Sequence, residues 1–156
     1  LMKNFTSKMD KKTGLMTTSF VVFAVAVPFV MYKLGAPRVS LFMVSLIMAL
    51  AFITSYMMIP QLFLNDKTIV IKNNFVNIKI PFGDINTIEE NPKIGLNIRT
   101  MGVGGLFGHF GYFNGNDVWY VTNIHNKVKI TMKSGKIYMI SPENPEEFIK
   151  KVKNFS

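Results

Sequence analysis

The chain has 156 residues, no cysteine, two histidines and a formal net charge of +9 at pH 7. This composition excludes disulfides and thiol catalysis, and two histidines argue against a multi-histidine zinc site. Six basic and one acidic residue give +5 over residues 1–64, and twelve basic and eight acidic residues give +4 over residues 65–156. Because the positive charge is spread over both parts and not clustered, we expect no nucleic-acid partner.

Two long uncharged segments predict membrane-spanning helices. Residues 13–32 are 20 consecutive residues without a charge, residues 39–65 are 27, and most of them are apolar. A bilayer core about 30 Å thick needs about 20 apolar helical residues to cross it. We therefore predict transmembrane helices over residues 15–32 and 39–59. The short connection 33–38 leaves room only for an antiparallel hairpin, so both chain ends lie on one side of the membrane.

The basic residues that flank these helices predict their orientation. More of them lie on the side of the chain ends than in the turn: Lys3, Lys8, Lys11, Lys12, Lys67 and Lys72 against Lys33 and Arg38. An excess of Lys and Arg marks the cytoplasmic face, so we predict that both termini are cytoplasmic. The alternative is a cleaved secretory signal peptide, because Ala24-Val25-Ala26 resembles a cleavage site. The apolar stretch continues past it and a second one follows, which favours a retained anchor.

The hydrophobic period changes to two from residue 65 onward, which predicts β-strands. One hairpin is predicted around the turn pair Asn73-Asn74 and another around Ser134-Gly135. The predicted strands are residues 68–72, 75–80, 93–100, 117–123, 127–133 and 136–140, and residues 85–90 fit either a short strand or a single turn. The β-rich part is therefore expected to be a small antiparallel structure.

The last segment predicts an amphipathic helix that begins at Pro145. Asn144 is a suitable N-cap, and Glu146 and Glu147 fall in the first turn, where the helix dipole favours carboxylates. An apolar stripe must cover part of the β-rich region, and its members are Phe148, Ile149, Val152 and Phe155. The lysines on the other face are either solvated or in contact with anionic lipid headgroups, and they are Lys150, Lys151 and Lys153.

Residues 105–113, GLFGHFGYF, are three consecutive Gly-x-Phe triplets. They match neither the G-x-x-x-x-G-K-[ST] phosphate loop nor the G-x-G-x-x-G dinucleotide fingerprint, and we expect no cofactor. Either the glycines mark sharp strand bends and the phenylalanines fill a barrel interior, or the uncharged segment lies against lipid or a partner protein. The candidate contact residues are Arg99, Phe107, His109, Phe110, Tyr112 and Phe113. Arg99 fits either hydrogen bonding to backbone carbonyls or contact with an anionic ligand.

The sequence disfavours both catalysis and transport. Its carboxylates show no spacing motif of an active site, and we expect no enzyme activity. Neither predicted helix carries an acidic, basic or histidine side chain, whereas ion pathways through membranes typically do. Ser45 and Ala49 offer a small-residue packing face. An accessory subunit of a membrane transporter, or an oligomeric pore, is therefore the alternative function.

Four segments resemble one protein family: RTMG at 99–102, GLFGHFG at 105–111, YVTN at 120–123 and ISPENPEEFI at 140–149. With the order of hairpins and the two apolar segments, they are similar to bacterial pleckstrin-homology-like domains attached to two membrane helices. The resemblance implies a PH-type barrel with a capping helix, in a bacterial plasma (inner) membrane. It does not imply phosphoinositide binding, because the lysines of the first hairpin are scattered, at Lys67, Lys72 and Lys79.

The predicted fold class is membrane-anchored α+β. Residues 1–64 are expected to hold the N-terminal segment and the two-helix transmembrane hairpin. Residues 65–156 are expected to form a small PH-like antiparallel β-barrel capped by the C-terminal helix, reached through a short linker at 61–65. The predicted function is a membrane-tethered interaction or scaffold module. Its expected partners are the lipid bilayer and either a protein partner or further copies of the same chain, as a homo-oligomer.

Overall fold

The structure is a computed structural model that describes residues 2–90, 93 and 97–154. Two long apolar helices come first, α1 (Lys11–Lys33) and α2 (Arg38–Met57), and they pack as an antiparallel hairpin. By length and composition each could cross a membrane, and only 6% of the most apolar window of each helix is buried. A helix that is apolar all round and not covered by protein needs another apolar environment.

Polar groups cap the helices and set their ends. α1 begins at residue 11 and not at the predicted residue 15, because the Asp10 carboxylate accepts hydrogen bonds from Thr13 N at 2.8 Å and Thr13 Oγ1 at 3.1 Å. α2 ends at Met57, where Asn74 N and Asn73 Nδ2 donate hydrogen bonds to its last carbonyls. The Asn73-Asn74 turn therefore joins the end of α2 to the β domain.

The residues before α1 are part of the β domain. Strand β1 (Lys3–Asn4) pairs antiparallel with β2 (Gln61–Leu64). The next side chain, Phe5, is 2% exposed, and its ring lies edge-on to that of Phe148 at a centroid distance of 5.2 Å. Residues 2–10, which we call the N-terminal arm, therefore hold the start of α1 against the β domain.

The predicted linker at 61–65 is wrong, because these residues are mostly strand β2. Leu62 and Leu64 are 4% and 3% exposed, and β2 lies between β1 and β3 in the sheet. An apolar alternation of only two positions is too short to indicate a strand by its period. α2 is thus connected to the β domain by a strand inside a sheet, and the domain is held in place on the helices.

The described residues form ten strands in two sheets, with the orders β1-β2-β3-β4 and β5-β9-β10-β8-β7-β6. The remaining strands are β3 (Thr68–Lys72), β4 (Asn77–Pro81), β5 (Ile85–Glu90), β6 (Arg99–Gly104), β7 (His109–Phe113), β8 (Asp117–Val121), β9 (Val128–Met132) and β10 (Ile137–Ile140). Both predicted hairpins, β3–β4 and β9–β10, are confirmed. In place of the strand predicted over 93–100, β6 begins at Arg99, and residues 94–96 of that prediction lie outside the described residues.

The predicted antiparallel barrel is wrong in two respects. Within the described residues the two sheets do not close into a barrel. The 3₁₀ turn Phe82–Asp84 redirects the chain after β4, so β5 pairs with β9 of the second sheet. In addition, β8 and β10 pair in parallel, with Met139 opposite Trp119, because β9 carries the chain back before β10 begins.

The two sheets share one core with α3 (Pro145–Asn154). The side chains of Ile69 and Ile130, one from each sheet, and of Phe148 from α3 are all 0% exposed. Burial of each such side chain contributes about 1.5–3 kcal/mol. α3 begins at Pro145 as predicted, and Glu147 N donates to Asn144 Oδ1 at 3.2 Å. Phe155, the last member of the predicted stripe, lies outside the described residues.

Candidate functional site

Residues 104–108, which we call the glycine loop, connect β6 and β7 in a tight turn. Gly105 N donates to Gly108 O at 2.9 Å. Gly105 and Phe107 have φ of +99° and +59°. This left-handed conformation costs little at glycine but about 1–2 kcal/mol at a residue with a Cβ. Contacts outside the loop must therefore hold the Phe107 backbone in place.

The helix hairpin provides those contacts. Phe107 N donates to Thr17 Oγ1 of α1 at 2.9 Å. The Phe107 ring lies edge-on to two rings of α2, at centroid distances of 5.1 Å to Phe52 and 5.5 Å to Tyr56. Phe107 is 8% exposed. The glycine loop is therefore the part of the second sheet that packs on α1 and α2, an arrangement that neither interpretation of the sequence included.

Two further glycines allow β6 and β7 to approach closely. Gly102 and Gly111 lie opposite each other in this strand pair. A Cβ on either residue would collide with the backbone of the other strand. The glycine spacing therefore serves backbone packing next to the loop.

The other candidate contact residues do not lie on one surface. Phe110 and Phe113 are inside the β domain, at 0% and 4% exposure. His109 is half-buried, whereas Tyr112 and Arg99 are exposed. Of these five side chains, only Tyr112 and Arg99 are accessible to a partner.

Arg99 lies beside the part of α2 that is nearest to the β domain. It lines an open groove together with Thr54 and Ser55 of α2. A Cβ added to Gly104 would lie 2.7 Å from Arg99 Nη1. Gly104 therefore leaves the space that the Arg99 side chain needs next to the helix.

The three lysines of α3 differ in their surroundings. Lys151 Nζ lies 3.4 Å from Glu147 Oε1. Glu147 also accepts a hydrogen bond from Lys3, and this bond holds the pKa of the Glu147 carboxyl below its usual value. Lys150 and Lys153 are exposed. Lys150 and Lys153 are thus the two α3 lysines that an anionic surface could reach without breaking an ion pair.

A cavity of about 250 Å³, which we call the junction cavity, lies between the first turns of α1 and strands β7 and β8. Basic and polar side chains share its walls with apolar ones. The wall residues are Lys12, Thr13, Met16, Asn97, His109, Phe113, Trp119, Ile124 and Lys127. The cavity brings together His109 and Phe113 from the predicted contact set with residues that no sequence motif indicated.

Lys127 is a buried cation in the wall of this cavity, with 2% exposure. Its Nζ donates to Lys93 O at 2.9 Å and lies 5.3 Å from the centroid of the Trp119 ring. Burial lowers the pKa of the Lys127 ammonium. Burial also lowers the pKa of His109, Asp10 raises it, and nearby basic side chains lower it further. Because the net effect is a pKa below the usual value, the imidazole is neutral at pH 7.

The sequence did not indicate that Lys127 is buried, because lysines recur at alternate positions in and next to β9, at 127, 129 and 133. Such alternation is typical of a solvent-exposed face. In the fold Lys127 is buried, its ammonium bound to the backbone at Lys93 and placed over the Trp119 ring. The one available signal is indirect: Trp119, the single tryptophan of the chain, falls in a predicted strand whose residues face the interior.

The wall of the junction cavity is rich in hydrogen-bond donors. Within residues 2–90, 93 and 97–154, no three His, Asp or Glu side chains come together as a metal-ion site. The described wall offers ammonium, amide, imidazole and indole groups, and no carboxylate. Such a wall supplies hydrogen-bond donors and positive charge.

Comparison with known proteins gives one match. The sequence model of the family described as Bacterial PH domain matches residues 60–155. These 96 residues begin immediately before β2 and include α3, and they leave α1, α2 and the N-terminal arm outside. No curated protein and no solved structure matches the chain. The match confirms the resemblance that the sequence motifs indicated.

Proposed function

Because the chain belongs to the bacterial PH domain family, we propose that it acts as a membrane-anchored interaction module. PH-like domains are in general interaction modules and not enzymes. The helix hairpin is proposed as the anchor, and the β domain as the part that meets a partner.

Membrane insertion is supported by the apolar side chains that α1 and α2 expose. Leu15 and Val25 on α1 and Val39 and Phe42 on α2 are 65–73% exposed, and many neighbours are similar. An apolar surface of this extent is unusual on a soluble monomer. The lysines of the N-terminal arm favour a cytoplasmic location of both termini.

The observation that carries the proposal is the packing of Phe107 on the helix hairpin. Its ring contacts Phe52 and Tyr56, its amide binds Thr17, and the N-terminal arm pairs with β2. These contacts therefore hold the β domain in one position and orientation relative to the helix hairpin. A module held in this way presents a constant surface to a partner in or next to the same membrane.

We infer that the partner is a protein and that it contacts the free edge of the second sheet. Within the described residues β6 is one of the two edge strands of this sheet. Met101 on β6 is 70% exposed, and Ile98, immediately before β6, is 63% exposed. Tyr112 on β7, opposite Met101, is 45% exposed. Arg99 is the first residue of β6 and lies between Ile98 and Met101 along the chain. An exposed edge strand with apolar side chains is a typical site of strand-to-strand recognition.

Photocross-linking in native membranes tests this proposal. A photoreactive amino acid at Met101 is expected to give a discrete protein adduct, identified by mass spectrometry as another protein or a second copy. The matched control carries the same group at Phe75, an apolar residue of similar exposure, 57%, in the β3–β4 turn. Adducts with lipid alone at Met101, or the same adducts from both positions, would refute the proposed contact surface.

A second candidate function is an accessory subunit of a membrane transporter or an oligomeric pore. A groove on the surface of the helix hairpin is lined by the small residues Ala24, Ser45 and Ala49 and by larger apolar ones. Small residues allow a further transmembrane helix to pack closely. Ala49→Leu is expected to remove co-purifying membrane subunits if this function is correct, and unchanged co-purification would exclude it.

A further inference from the structure

Trp119, whose side chain lines the junction cavity, carries a buried hydrogen-bond donor without a partner among the described residues. Trp119 is 4% exposed, and its Nε1 has no hydrogen-bond partner among the described residues. The indole ring cannot turn freely to find one, because it is stacked on Phe113 at a centroid distance of 4.4 Å and an interplanar angle of 22°. Buried polar groups in proteins are nearly always hydrogen-bonded, so this N–H points to an acceptor that the described residues do not supply.

The wall of the same cavity also holds a buried positive charge, that of Lys127, which has no counter-ion in the described part of the chain. The Lys127 ammonium has three donors, and within the described residues its contacts are the Lys93 carbonyl and the Trp119 ring. No described carboxylate lies within 4.0 Å of it. Lysine is almost never fully buried unless it is paired, because desolvation of a charge is costly. The nearest explanation is an anion that occupies the cavity.

The rest of the wall fits an anion with an apolar portion. Lys12 on the first turn of α1 adds a second positive charge, and Asn97 adds an amide. Met16 and Phe113 supply apolar surface on either side. The carboxylate of Asp10 lies close enough to act on the wall residue His109. Its oxygens already accept hydrogen bonds from Thr13 and from Ile124 N.

We propose that the junction cavity binds a phosphate group, with Lys127 and Lys12 supplying positive charge and the Trp119 indole a hydrogen bond. A phosphate has several acceptor oxygens and can satisfy all of these donors at once. The phosphate belongs either to the headgroup of an anionic phospholipid or to a free phosphate compound. The cavity opens at the first turns of α1, where this helix enters the bilayer in the proposed function, and this position favours the lipid.

Trp119 makes the site directly measurable, because it is the only tryptophan in the chain. The full-length protein in a non-ionic detergent is titrated with dihexanoyl phosphatidylglycerol, dihexanoyl phosphatidylcholine and inorganic phosphate, and the tryptophan emission is recorded. We expect a saturable change with phosphatidylglycerol, at a concentration about tenfold or more below that needed for either other compound. This measurement requires neither membrane insertion nor a protein partner, so its failure would leave the proposed function untouched.

Variants separate binding from general electrostatics. Lys127→Met is expected to raise the apparent Kd for phosphatidylglycerol about tenfold or more, as for loss of one charge-assisted hydrogen bond. Lys129→Met is the matched control, since Lys129 lies two residues further along, on β9, and pairs with Glu89 at the surface. Lys12→Gln, on the rim of the cavity, tests the site independently if Lys127→Met does not fold.

Each outcome bears on the proposal. Saturation by inorganic phosphate at lower concentration than by phosphatidylglycerol would support the phosphate site and overturn its assignment to lipid. Equal responses to phosphatidylglycerol and phosphatidylcholine would overturn the role of charge. No saturable response to any of the three compounds, or equal weakening by Lys127→Met and Lys129→Met, would overturn the site itself.

Discussion

Phe107→Ala should separate the β domain from the helix hairpin without unfolding the domain. The substitution removes the ring that contacts Phe52 and Tyr56, but it keeps the amide that binds Thr17. Phe107 also stays outside both buried clusters of the β domain. The consequence is therefore expected at the junction, and the hairpins of the two sheets should be spared.

The structure allows an estimate of the size of this effect. Truncation of a buried phenylalanine to alanine costs about 3–5 kcal/mol, and each edge-to-face ring pair contributes about 0.5–1.5 kcal/mol beyond the area it buries. Phe107 is 8% exposed, and its hydrogen bond to Thr17 is kept, so we take the low end, about 3 kcal/mol. Since about 1.4 kcal/mol corresponds to a factor of ten, opening of the glycine loop should become about 100-fold more frequent.

Hydrogen exchange of the full-length protein in detergent micelles, followed by mass spectrometry, measures this opening. Peptides that contain the glycine loop should exchange about 100-fold faster in Phe107→Ala, whereas peptides from β9 and β10 should keep the wild-type rate. Phe75→Ala is the control, because Phe75 is 57% exposed and should change neither region. Loop exchange within about threefold of wild type, or equally faster exchange in β9 and β10, would refute the assigned role of Phe107.

Three further predictions concern stability. Asp10→Asn should cost about 1–2 kcal/mol, because the carboxylate caps α1 and binds Ile124 N. Burial raises the pKa of Asp10, but hydrogen bonds from Ile124 and Thr13 outweigh the effect of burial and hold the pKa below its usual value. The carboxylate therefore stabilises the fold fully above the usual pKa, and this stabilisation is lost as the pH falls through the lowered pKa. Thermal melts at a series of acidic pH values can follow the loss. Lys127→Met should stabilise the ligand-free protein by about 1 kcal/mol at pH 7, because it removes an unpaired buried charge. Burial lowers the pKa of Lys127, so the stability of the wild-type protein should rise with pH between the lowered and the usual pKa. Thermal melts of the variant should lack this rise. Gly111→Ala should cost about 2–3 kcal/mol, because a Cβ would collide with Met101 O across the strand pair at a φ of +120°, and circular dichroism melts should show the loss.

Controls for these predictions come from the same chain. Gly135→Ala is matched to Gly111→Ala, since Gly135 also has a positive φ, +84°, but no atom within 4 Å of the added Cβ. Its cost should stay at about 1–2 kcal/mol, from the backbone conformation alone. Equal losses at the two glycines would contradict the close approach of β6 and β7. For Lys127→Met, a clear loss of stability would indicate that the bond to Lys93 O outweighs the cost of the buried charge.

Local patterns in the sequence predicted the elements that depend on near neighbours. The two apolar helices, the hairpins β3–β4 and β9–β10, and the N-capped helix α3 all follow from period, turn residues and capping groups. Each is stabilised mainly by hydrogen bonds and side chains within a few residues of one another. For this reason one short stretch of sequence was enough to indicate each of them.

Tertiary structure decided the features that join distant segments. The N-terminal arm becomes a strand only because β2 lies next to it, and the strand β2 itself is too short to show a period. The 3₁₀ turn at Phe82–Asp84 sends β5 to the second sheet, which prevents the predicted barrel. These outcomes depend on which partner strand offers free N–H and C=O groups, and no local pattern encodes that choice.

The candidate site shows the same division between sequence and structure. The Gly-x-Phe triplets indicated by themselves that residues 105–113 are unusual, because glycine spacing is a local property. Whether Phe107 faces a core, a partner or the helix hairpin was decided by contacts with Thr17 and Phe52, far away in the chain. The sequence alone suggested that Lys127 is exposed. In the fold Lys127 is buried, and its ammonium binds the backbone of Lys93. Burial is a property of the assembled fold, and burial turns an ordinary lysine and tryptophan into a candidate binding site.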